Sequence, residues 1–103
     1  MYVLVLITTS SIQEAKLIAD DLVERRLVAC TNIIEKVHST YWWKGVKEAS
    51  EEVLLMLKSN ENVLEELTRR IRELHSYENP EIIALPIIGG SDAYLRWIGG
   101  EIR

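Results

Sequence analysis

The segment His75-Ser76-Tyr77-Glu78-Asn79-Pro80-Glu81 packs an imidazole, a phenol and two carboxylates into one short stretch. Connections between elements commonly display such groups, which makes this segment the first site candidate, with His75 and Glu78 able to ligate a metal ion. The same residues also suit a plain helix end, where His75 complements the helix dipole and Asn79-Pro80 turns the chain. Cys30 is the only cysteine, so no internal disulfide can form. A lone cysteine in an apolar strand commonly packs as a small hydrophobe; as a metal ligand its soft sulfur would suit Cu(I). His38, with Glu35 or Glu48 across a ladder, offers a further metal or pH-sensitive pair. Tyr41-Trp42-Trp43 beside Lys44-Gly45 forms an aromatic patch fit for recognition or for packing against another subunit. Glu48, Glu51 and Glu52 could attract cations, but charges also shield a strand edge from unwanted pairing, and that protective role is the expectation here.

No nucleophile paired with a base, no phosphate-binding glycine loop and no carboxylate pair beside a histidine stands out, so the chain reads as a binding protein and not an enzyme. The turn Thr8-Thr9-Ser10-Ser11 has neither the glycine nor the arginine that an acylphosphatase-like hydrolase would need. The net charge of -4 and pI near 5.2 exclude a general affinity for nucleic acid, which depends on clustered Lys and Arg. No apolar run approaches the roughly 20 residues that a bilayer demands, and Met1-Tyr2-Val3-Leu4 lacks a basic start. No membrane insertion and an intracellular address are therefore expected.

The 103 residues, 48% of them hydrophobic, suffice for one domain spanning 1–103 around one core. Tyr2 to Thr8 is an almost unbroken apolar run, suited to a central strand buried on both faces. Ser11 with Glu14 reads as a capping box opening a helix to about Arg26, with Ala15, Ile18, Ala19, Leu22 and Val23 on its apolar side. Val28 to Trp43 and Val46 to Lys58 predict a long β-hairpin turning at Lys44-Gly45, with a bulge near Ile33-Ile34. Asn62 can cap a second helix carrying Leu64, Leu67, Ile71 and Leu74 and ending near His75. Glu81 to Ile88 predicts an edge strand, because it contains Pro86. Ser91 or Asp92 can cap a last short helix that stops before Gly99-Gly100.

This order predicts an α+β fold, a ferredoxin-like split βαβ sandwich with helices on one face of an antiparallel sheet. Hairpin arms of this length would span about 40 to 50 Å at roughly 3.3 Å per residue, against about 35 Å for a globule of this size. The overhanging part needs a cover, and a second copy of the chain in a closed homo-oligomer is the economical one. A shorter hairpin, kinked at His38-Ser39-Thr40, would remove that need.

Glu24-Arg25-Arg26-Leu27-Val28-Ala29-Cys30-Thr31-Asn32-Ile33, Tyr41-Trp42-Trp43-Lys44-Gly45, Leu74-His75-Ser76-Tyr77-Glu78-Asn79-Pro80-Glu81-Ile82 and Tyr94-Leu95-Arg96-Trp97-Ile98 together resemble the CutA divalent-cation tolerance family across essentially the whole chain. The resemblance implies a homotrimer built through the long hairpins, a cytoplasmic location and a role in tolerance of divalent metals, notably copper. Where some members place copper on a first-strand cysteine and two adjacent histidines, this chain carries Ile7, Leu74 and His75, and Ser76 stands where a proline is common. Cys30, Asn32, Tyr41, Trp43, Lys58, His75, Tyr77 and Glu78 match recurrent family positions and are expected in clefts between subunits. A second reading is a trimeric signalling module that binds a small anion or a partner protein in such a cleft, beside Lys58 and His75.

Overall fold

A computed structural model describes residues 1–103. Strand β1 spans Tyr2–Thr9, helix α1 Ile12–Glu24, β2 Cys30–Trp43 and β3 Val46–Asn60. After a 3-10 turn at Glu61–Val63 come α2, Leu64–Leu74, then β4, Ile82–Pro86, and α3, Asp92–Glu101. The four strands pair antiparallel in the order β2-β3-β1-β4, the ferredoxin-like arrangement that the order of elements predicts.

Alternation along β1 buries Val3, Val5 and Ile7 against α1 and α2, together with Leu55, Leu57, Leu67 and Ile71. Tyr2, Leu4 and Leu6 point the other way and remain half-buried. The expectation of burial on both faces therefore fails within one chain, since α1 and α2 cover only one side. Helix α3 reaches the other side at one end, where a Cβ on Gly99 would meet the Tyr2 hydroxyl.

Ser11 caps α1 by accepting the Glu14 N–H at 3.1 Å. The Glu14 side chain does not return to complete the box: its carboxylate takes the Ser76 N–H at 2.7 Å instead. Asp21 receives a bidentate Arg70 at 2.7 and 2.9 Å and ties α1 to α2. Val23, placed on the apolar side, is exposed. Asn60, not Asn62, provides the cap after β3, accepting the Asn62 N–H at 3.0 Å. The Gly99-Gly100 pair does not stop α3, which runs through Glu101.

The hairpin is as long as expected, with Trp43 opposite Val46 across the two-residue turn Lys44-Gly45. Both turn residues have positive φ, 50° and 79°, the twist that matches flanking strands. The bulge lies between Ile34 and Val37, just beyond the expected place, with Lys36 at φ 63°. β1 pairs only with Val53–Asn60 of β3, so the tip half of the hairpin extends past the rest of the sheet and the molecule measures 44 × 25 × 23 Å.

Candidate functional site

Helix α2 ends at Leu74, and His75 turns back into the protein. Its side chain is fully covered, contrary to an exposed turn. Nε2 lies 2.7 Å from the Thr8 carbonyl and Nδ1 lies 3.0 Å from the Tyr77 backbone nitrogen. The carbonyl can only accept and the amide can only donate, so Nε2 carries the proton and Nδ1 is the acceptor. Both ring nitrogens are thus engaged within the chain. Glu14 approaches Nδ1 at 3.8 Å while holding Ser76, which fastens the connection to α1.

The Tyr77 ring lies 4.7 Å from the His75 ring, and its hydroxyl donates to Glu52 at 2.7 Å. Burial, followed by the hydrogen bond to Glu52 and then that carboxylate's charge, pushes the Tyr77 phenol well above its usual range. Glu52 is only 8% exposed. It does not shield an edge, as expected of it, because the connection after α2 folds over it. Thr8, Tyr41, Trp43, Glu52, Tyr77 and Glu78 share a groove of about 740 Å³, closed by Ser39, Thr40 and residues 79–81.

Cys30, Asn32 and Lys58 form a second cluster. Cys30 faces Lys58 across the ladder, with Nζ 3.7 Å from Sγ, and the ammonium also bonds Asn32. Tyr94 completes the cluster; burial and the adjacent Cys30 thiol raise its phenol. Lys58 lies six positions along β3 from Glu52, roughly 20 Å at strand spacing. Within one chain the candidate positions therefore divide, with Tyr41, Trp43, His75, Tyr77 and Glu78 at one end and Cys30, Asn32 and Lys58 at the other. Lys58 and His75 do not share a cleft of one subunit, and no three His, Cys, Asp or Glu side chains converge to hold a metal.

His38 faces Glu51, while Glu48 faces Tyr41, because the two-residue turn at Lys44-Gly45 sets the register of the tip half. Sequence reasoning missed Glu14, the Thr8 carbonyl and Tyr94. Only the capping-box spacing drew notice to Glu14, and it pointed to the wrong partner.

Residues 3–101 match the CutA1 divalent ion tolerance protein family. The divalent-cation tolerance protein CutA of Thermus thermophilus is 44% identical over 94 residues, covering 91% of this chain and 91% of that protein. The chloroplastic CutA of Arabidopsis thaliana is 39% identical over 98% of this chain, which spans 56% of that relative's length. A solved Thermus thermophilus structure of this kind superposes with a TM-score of 0.98 at 41% identity, covering all of both chains. One from Archaeoglobus fulgidus, described as periplasmic, gives 0.96 at 35% identity, again over the full length of both.

Proposed function

Because the chain belongs to the CutA1 divalent ion tolerance family, we propose that it is a cytoplasmic homotrimer that binds divalent metal ions, copper foremost, and confers tolerance to them without a catalytic step. The observation that carries assembly is the sheet face left bare by α1 and α2. Ile34, Ile83 and Leu85 are 45%, 49% and 43% exposed there, beside the half-buried Leu4, Leu6, Leu54 and Met56. An apolar face next to an edge strand and an overhanging hairpin suits a ring of copies, which closes with no edge left free. No helix is long and apolar enough to cross a membrane.

Since one chain brings no three ligating side chains together, a metal centre would draw residues from neighbouring copies. Glu78, exposed on the groove rim, is the most available of the candidate ligands, whereas His75 would have to surrender one of its hydrogen bonds. Cys30 would serve a separate centre. Calorimetric titration of chelator-stripped protein with Cu(II), Zn(II) and Mg(II) tests this reading. Saturation at a fixed ratio per chain, weakened by Glu78→Ala, His75→Ala or Cys30→Ser, is expected. Weak, unsaturating heats with every metal would remove it.

One observation favours the second reading. The Lys58 ammonium has no carboxylate partner and is held only by Asn32 and Cys30, as a receptor for a small anion or an acidic partner would be. A rise in melting temperature with such a ligand, abolished by Lys58→Met, would support it.

A further inference from the structure

We propose that the groove between the hairpin and the connection after α2 binds a small linear diamine or polyamine. Its lining includes Glu52, Glu78 and Glu81 and no Lys, Arg or His, which excludes anions and selects positive charge. Glu52 is nine-tenths buried, and Tyr77 satisfies one of its oxygens. None of the chain's ion pairs reaches its carboxylate. The other Glu52 oxygen has no partner in the chain and is not sealed from solvent, since no buried side-chain oxygen lacks a hydrogen bond, so it is open to an ammonium donor.

The walls point to an organic cation. Tyr41, Trp43 and Tyr77 give the lining aromatic surface for the methylenes between ammonium groups, and Trp43 already carries the Lys44 ammonium 5.5 Å from its ring centre, the kind of contact an organic cation would make. At about 740 Å³ the groove falls in the range of small-molecule sites. A single bare metal ion does not fit, because the carboxylates do not converge on one point. Carboxylates spread from the groove floor to its rim instead match charges carried at intervals along a flexible chain. The Ser39 and Thr40 hydroxyls supply further acceptors for ammonium hydrogens.

The test is calorimetric titration of the full chain, in its native assembly and stripped of metal, with 1,4-diaminobutane and spermidine at physiological ionic strength. Saturable binding at one site per chain is expected, with 1,4-butanediol silent and equimolar Mg(II) failing to compete. Glu52→Gln keeps an acceptor for Tyr77 yet loses the charge, and Trp43→Leu removes a ring; each should weaken binding about tenfold. Glu78→Gln, at an exposed position, gives a smaller loss in the same direction and guards against misfolding of the other variants. No saturable heat, displacement by Mg(II), or binding unchanged in both Glu52→Gln and Trp43→Leu would each overturn the proposal. The metal reading does not depend on it, since copper titration can succeed where the amines fail, and the reverse.

Discussion

His75 joins three parts of the molecule that are distant in sequence. It donates to the Thr8 carbonyl at the end of β1, accepts from Tyr77, and lies beside Glu14 of α1. Replacing it with alanine strands a buried carbonyl and an amide and leaves a cavity. His75→Ala should therefore cost about 2–4 kcal/mol in chemical denaturation. Glu14 makes the same corner sensitive to acid. Burial pulls its carboxyl upward, but hydrogen bonds from the Ser76 N–H and hydroxyl and from Ser10, with the neighbouring His75 ring, hold it below the usual carboxylate value. A carboxyl lowered in the folded state stabilises the fold above its unfolded pKa, and that contribution disappears as pH falls through the folded value. Melting temperature should thus decline on acidification from about pH 5 to 3, and Glu14→Gln should flatten part of the decline. Asp21, lowered chiefly by its hydrogen bond to Arg70, supplies a further part that the variant leaves in place.

At the scale of elements, the long hairpin depends on a turn whose first residue is not the one its geometry prefers. Lys44 holds φ 50° before Gly45, where asparagine is better accommodated. Lys44→Asn should raise stability by about 0.5 kcal/mol without altering the strands, as a thermal melt would register. Helix α3 offers an internal comparison. Gly100 has open space around an added Cβ, whereas one on Gly99 runs into Tyr2. Gly100→Ala should therefore stabilise by up to about 1 kcal/mol, while Gly99→Ala gains nothing, because the tyrosine ring must move aside.

Viewed whole, the molecule leaves one side of its sheet apolar and uncovered. If copies close over it, charges placed there must break the assembly while sparing the core behind α1 and α2. Ile83→Lys combined with Leu85→Lys should convert the oligomer to monomers in sedimentation velocity, with a lower melting temperature that no longer varies with protein concentration. An unchanged sedimentation coefficient would place the interface elsewhere. The separation of the groove from the Lys58 cluster by about half of β3 further means that one copy can present two chemically distinct surfaces to its neighbours.

The order and kind of elements were legible in the sequence, because local signals specify them: the two periodicities, the Ser11 cap and the Lys44-Gly45 turn. The resemblance carried by the segments around Cys30, Trp43 and His75 likewise identified the family. Partners across the fold were not legible. The extra residue between Ile34 and Val37 shifted the register by one on the side away from the turn, so Ile34 met Leu54 and not Leu55. Glu52 read as one of several solvent-facing charges until Tyr77, 25 positions away, was folded over it. Alternation along a strand tells which residues share a side, but what lies against that side depends on contacts between distant segments. Those contacts alone buried His75, turned Glu14 away from its own helix, and divided the candidate residues between two ends of one sheet.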